Sequence, residues 1–154
     1  MAVEVWSVDS TFVGRYYPTL LISATSKLTP TDVDEIVEGA AAFVNGHVNA
    51  AFGAGTVTEI ALDTTDLQYR NCQSGTIICA GPALHIAAEG ANAADLDDLV
   101  KAREDWIDGI TRDPARTIGR VQDATMFPGV DTSTKYRNLD TSLTALRGYR
   151  QHGG

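Results

Sequence analysis

One long helix constrains this chain more than any other feature. Thr29-Pro30-Thr31-Asp32 places a hydroxyl where it can cap a helix, proline at the first helical position, and acids Asp32, Asp34 and Glu35 in the first turn. Peptide dipoles favour negative charge there. Val33, Ile36, Val37, Ala40, Phe43, Val44, His47, Val48, Ala51 and Phe52 then follow the i, i+3, i+4, i+7 repeat of an amphipathic helix until Gly53. About 23 residues make a rod of about 34 Å. Inside it Gly39 and Gly46 are seven apart, nearly on one stripe, with Gly53 closing the series. Each interior glycine costs about 1 kcal/mol relative to alanine. Two readings stay open: chance or close packing within the domain, or an interface stripe that lets a helix of another subunit approach.

The remaining pattern is mostly helical. Residues 7–17 predict a short helix capped by Ser7 or Asp9, with Phe12, Val13 and Tyr16 on one side and Pro18 as its stop. Thr19–Ser26 suits an extended segment, and Thr56–Leu62 alternates as a short strand would, before a turn or cap at Asp63-Thr64-Thr65-Asp66. Leu67–Gly90 predicts a second long helix kinked by Pro82, the alternative being a loop to Ala80 and a shorter helix from Pro82. Asn92 is the predicted cap of a further helix, with stripe Leu96, Leu99, Val100, Arg103, Trp106, Ile107 and Ile110, ending before Pro114. Pro114–Gln122 adds one or two turns. Ala124–Arg137 reads as an extended strap, and Leu139, Leu143 and Leu146, with Asp140 as cap, as a last short amphipathic helix. The expected fold is mainly α: a small bundle of three to four helices with a short strand or hairpin element over residues 1–111, and an extended C-terminal arm over 112–154.

The totals suit a single body with an extension. At 154 residues the chain fits one compact core, and 44% apolar with 21% charged residues describes an ordinary globular protein. No apolar run reaches the roughly 18 residues of a membrane span, so no membrane partner is expected. Met1–Trp6 lacks the basic-then-apolar order of a secretory signal. Cys72 and Cys79, about 10 Å apart along a helix, are too distant for a disulfide and are expected as buried free thiols. Residues 1–111 hold 16 acids and 5 bases, a net of −11, whereas 112–154 hold 7 bases and 4 acids, a net of +3. The acidic part disfavours nonspecific nucleic-acid binding, which comes from phosphate neutralisation by Lys and Arg.

Catalytic motifs are missing. No Glu-x-x-His pair exists for a di-metal bundle, and His47, His85 and His152 sit in unrelated contexts. Asp95, Asp97 and Asp98 lack the glycine and terminal Glu of a calcium loop and read as acids at a helix start. Gly53-Ala54-Gly55 lacks the strand and the Lys-Ser/Thr of a phosphate loop, and no Gly-x-Ser-x-Gly elbow occurs. No catalytic residue, cofactor or metal ligand is therefore assigned. The arm differs: Tyr136, Arg137, Leu139, Leu143, Leu146, Arg147, Tyr149 and Arg150 combine aromatic, aliphatic and Arg side chains, of which Tyr and Arg are enriched at interface hot spots. With Gly39 and Gly46 they form the candidate interface set. Folding back on its own acidic body is the arm's plainer alternative.

The order of elements, a short N-terminal helix, a long capped helix through Thr31–Val48, two Ala-rich helices and an extended tail, resembles the head-to-tail adaptor or head completion connector proteins of long-tailed bacteriophages. The likeness covers roughly residues 7–111, and Ala42, Val44 and Asn45 on the long helix carry most of it. Pro82 and the long segment after Pro114 depart from the shortest members. The resemblance implies a structural virion protein at the neck, made in the host cytoplasm. Its subunits would form a homo-oligomeric ring, commonly of twelve, that binds the portal protein, meets stopper or tail proteins, and continues the channel through which DNA passes without specific binding. A stopper or tail terminator is the nearest competing reading, and a small ligand-binding helical bundle the competitor from another class.

Overall fold

The computed structural model describes residues 2–121. Six helices follow one another: α1 (Ser10–Tyr16), α2 (Pro30–Phe52), α3 (Thr56–Ala61), α4 (Leu67–Glu89), α5 (Leu96–Arg112) and α6 (Pro114–Ile118). No strand forms among the described residues. The mainly helical bundle expected from the sequence is what the chain adopts.

The start of α2 is a reciprocal cap. Asp32 N–H donates to Thr29 Oγ1 at 3.2 Å, while the Thr29 amide and hydroxyl donate to the Asp32 carboxylate at 2.9 and 2.6 Å. Those bonds hold the Asp32 pKa below its ordinary value. Asp9 caps α1 by accepting from Phe12 N–H at 2.8 Å. The buried positions of α2 are Val33, Val37, Ala41, Val44, Val48 and Phe52, a stripe that lies chiefly against α4.

Helix α4 runs unbroken through Pro82, so the loop alternative over 67–80 does not form. A proline deletes one backbone bond, but this segment is buried from Gly75 to Leu84 apart from Ile78 and Ala83, so packing on several sides holds the helix together. Val13 of α1, Val33 and Val37 of α2, and Ile77, Ala80 and Leu84 of α4 share one core with Val8, Leu20 and Leu28 from the loops.

Two sequence-level expectations of extended structure are corrected. Thr56–Leu62 is helical, not a strand: Thr56 Oγ1 donates to the Gly53 carbonyl at 2.8 Å and Val57 N–H to Asn49 Oδ1 at 3.2 Å, so the end of α2 starts α3. Its buried residues, Thr56 and Ile60, are four apart, which is a helical spacing. Gly53 and Gly55, at φ +108° and +90°, turn the corner between the two helices. The Thr19–Ser26 segment contributes only an isolated parallel bridge between Ile22 and Leu28. Asn92 does not cap α5, because Asn92 lies in turns that end at Asp95, the residue preceding the first helical position. The body also continues past residue 111: Pro114 and Ile118 are buried, α6 packs on α5 and α4, and Asn71 Nδ2 donates to the Ile118 carbonyl at 2.9 Å. The compact unit extends through Val121.

The N-terminal segment is built into this body. Trp6 is fully buried, its Nε1–H donates to Asn45 Oδ1 at 2.8 Å, and its ring meets Tyr69 edge-on at 5.3 Å. Asn45 Nδ2 returns a bond to the Glu4 carbonyl at 3.0 Å, and Gln73 Nε2 donates to the Trp6 carbonyl at 2.9 Å. Trp6 and Ser7 both sit at positive φ, +57° and +56°. Non-glycine residues in that region cost about 1–3 kcal/mol each, so the segment persists because α2 and α4 hold it from both sides.

The glycines that matter for packing are in α4. A Cβ on Gly75 would stand 2.5 Å from Cζ2 of the Trp106 indole, and one on Gly81 would stand 2.5 Å from the Tyr17 hydroxyl. A Cβ on Gly39 or Gly46 would meet nothing within 4 Å. Gly75→Ala is therefore expected to lower the unfolding free energy by about 1–3 kcal/mol through overpacking. Gly39→Ala and Gly46→Ala should raise it by up to about 1 kcal/mol through helix propensity. Urea midpoints of the three variants test this, and similar shifts at all three positions would sink the distinction.

Candidate interaction surfaces

The side chains with chemical potential lie mostly inside. Cys72 and Cys79 are buried free thiols, and burial pushes them up to about 12 and about 11, the nearby Arg103 partly opposing the rise at Cys79. His85 Nδ1 lies 2.9 Å from the Gly81 carbonyl and its ring packs edge-on against Tyr17 at 4.8 Å. Burial raises the Tyr17 pKa well above the ordinary phenol value, and its hydroxyl donates to the Ile77 carbonyl at 3.2 Å. His47 is half-buried on the seam of α2 and α5, against Phe43 at 4.6 Å and Trp106 at 6.3 Å. Arg103 stands 5.5 Å over the Phe43 ring. Among the described residues no group of three His, Cys, Asp or Glu converges on a common point for a metal.

Of the candidate interface residues, Gly39 and Gly46 are described, and both are exposed on the outer face of α2. Ala42 and Ala50 are exposed beside them, so the face is smooth for about three turns. With open space above both glycines, close packing inside the domain does not account for them. Tyr136, Arg137, Leu139, Leu143, Leu146, Arg147, Tyr149 and Arg150 lie outside the described residues, as does the terminal helix expected around Leu139–Leu146.

Including α6 in the body redraws the charge map. Arg112 pairs with Asp108 at 3.3 Å, and Arg120 binds Glu59 and, at 3.3 Å, Gln68. Arg112, Arg116 and Arg120 thus belong to the body, which holds 17 acids and 8 bases through Val121, a net of −9. Residues 122–154 retain 4 bases and 3 acids. Among the described residues only Asp108 and Glu59 have a cation within 4 Å. On α5, Asp97, Asp98, Glu104, Asp105 and Asp108 are all exposed.

A different surface surrounds α1. A groove of about 390 Å³ runs between α1 and the 20–22 segment and includes Arg15, Leu21 and Pro30. Leu21 also lines a second groove of about 270 Å³ with Lys27, Ala88 and Glu89, and Arg15 borders a third with Phe12 and Tyr16. Leu21 is 72% exposed and Tyr16 48%, far more than apolar side chains in a core. The sequence reading missed this surface because Leu21 falls in Thr19–Ser26, read as extended from its β-branched and apolar content, which singles out no residue as uncovered.

Comparison with protein-family models, with curated proteins and with solved structures gives no match.

The thiol environment has a measurable consequence. Thiolate is the reactive form, and both folded pKa values lie above the ordinary value of 9.0. The stabilisation from keeping the thiols neutral is complete below pH 9 and is lost as pH rises toward about 11 and about 12. At pH 8 an aromatic disulfide reagent should therefore label the native protein at least roughly 100-fold more slowly than the urea-unfolded chain. Rapid native labelling, followed by absorbance, would place a thiol at the surface and contradict this geometry.

Proposed function

We propose that this chain is a non-catalytic structural subunit, a head-to-tail adaptor of the kind found in long-tailed bacteriophages. Its copies close into a ring on the portal and carry the DNA channel toward the stopper or tail. The virion neck is the proposed location. The observation that carries this reading is the acidic surface of the helical body, in which 17 acids face 8 bases and most carboxylates have no cation beside them among the described residues. A wall of fixed negative charge denies passing phosphates the counterion release that drives binding, so DNA slides without sticking.

Three further features support it. The smooth outer face of α2, with Gly39 and Gly46, admits close approach by a neighbouring helix. The Cys, His and Tyr side chains that could do chemistry are largely absorbed by packing. The Tyr, Leu and Arg anchors from Tyr136 to Arg150 supply contacts to another subunit or the portal.

Negative-stain images of the full-length protein should show rings, alone or on the portal of the same virus. Deleting residues 125–154 should keep helical content and most thermal stability yet abolish ring or portal association. A truncated chain that unfolds would make the arm part of the core and remove the main support for assembly. Replacing Arg147 and Arg150 with Glu should weaken assembly more at low salt than at high salt. Equal losses at both would argue against electrostatic docking.

A further inference from the structure

We infer that the surface around Leu21 receives a second copy of this chain, specifically the acidic outer face of that copy's α5. The inference rests on the ring reading above and names the subunit contact that closes it.

The receiving surface is one continuous patch, because Leu21 is common to the first two grooves and Arg15 to the first and third. Its apolar content is left uncovered by the body: Leu21 is 72% exposed and Tyr16 48%. Its charge runs against that of the molecule. The groove linings hold Arg15 and Lys27 against one acid, Glu89, in a body where acids outnumber bases 17 to 8. Neither Arg15 nor Lys27 has a carboxylate within 4 Å among the described residues. Tyr and Arg are enriched at interface centres, and Leu21 adds exposed apolar area beside Tyr16 and Arg15.

The complementary surface is on the same molecule. Asp97, Glu104 and Asp108 are spaced by seven and four residues, so they share one face of α5, with Lys101 between them and Arg112 held by Asp108. Val100, 38% exposed, gives that face an apolar edge. A patch with two free bases and a face carrying Asp97, Glu104 and Asp108 on one chain attract their counterparts on a second copy, either reciprocally across a two-fold axis or head to tail. The ring reading selects the head-to-tail arrangement, each copy offering its α5 to the next, and such a contact closes when the rotation allows. The opposite charges also steer encounter and set which faces meet.

Sedimentation velocity and negative stain of the full-length protein at about 50 and 500 mM salt, beyond and within the range where screening is strong, test the contact. Wild type should self-associate, more at low salt. Arg15→Glu with Lys27→Glu should weaken association about tenfold or more, as should Asp97→Lys with Glu104→Lys. An equimolar mixture of the two double variants should recover hetero-association, since each keeps the half the other lost and the reversed halves also attract. Circular dichroism checks that these exposed substitutions leave the helices intact. Rings formed by wild type and equally by Arg15→Glu/Lys27→Glu would overturn this contact while leaving the adaptor reading standing. A wild-type protein that forms no ring, alone or on the portal, would overturn both. Failure of the mixture to associate, or a wild type that is monomeric until duplex DNA is added and then sediments with it, would overturn the contact and assign Arg15 and Lys27 to another role.

Discussion

A helix can be surrounded only if its neighbours find room, and α4 makes that room by omission. Gly75 accepts the indole of Trp106 from α5, and Gly81 accepts the ring of Tyr17 from the end of α1, both at separations a methyl group would not permit. The third partner, α2, lies along α4 with its valine stripe. Once α4 is held on these sides, Pro82 is tolerated, because the lost backbone bond is a local defect in a segment fixed by packing. The position of α5, and hence of the acids along its exposed side, follows from how deeply Trp106 can seat.

The polar contacts inside the bundle are few but complete. Every buried side-chain nitrogen and oxygen among the described residues has a partner. Asn45 is the clearest example, since it satisfies the Trp6 indole with one end and the Glu4 carbonyl with the other. An unpaired group there would cost about 1–3 kcal/mol, so the pairing specifies one docking of the N-terminal segment over alternatives of similar hydrophobicity.

Helix α2 was readable because local and global signals agree in it. Thr29-Pro30 and Gly53 bound α2 at both ends, and a stripe of period 3.6 runs between them. What escaped was decided by contacts from outside the segment being read. Thr56–Ala61 is a helix because Asn49 and Gly53 reach its first turn, which no pattern within residues 56–62 contains. Glycine was read by spacing within α2, yet the close approaches occur at Gly75 and Gly81, whose partners lie 31 and 64 positions away. Their importance was invisible without knowing which helix faces α4. The charge boundary read at the end of α5 moves, because α6 packs into the body and carries its arginines with it.

Trp6 and Trp106 are the chain's two tryptophans, and they sit in unlike surroundings. Trp6 is dry, its indole N–H bonded to Asn45 between α2 and α4, whereas Trp106 is half-buried where α5 meets α4. Intrinsic fluorescence therefore carries two separate reports. Trp6 registers the docking of the N-terminal segment and Trp106 the docking of α5, so single-tryptophan variants can tell whether the bundle opens as one cooperative unit or peels from one side.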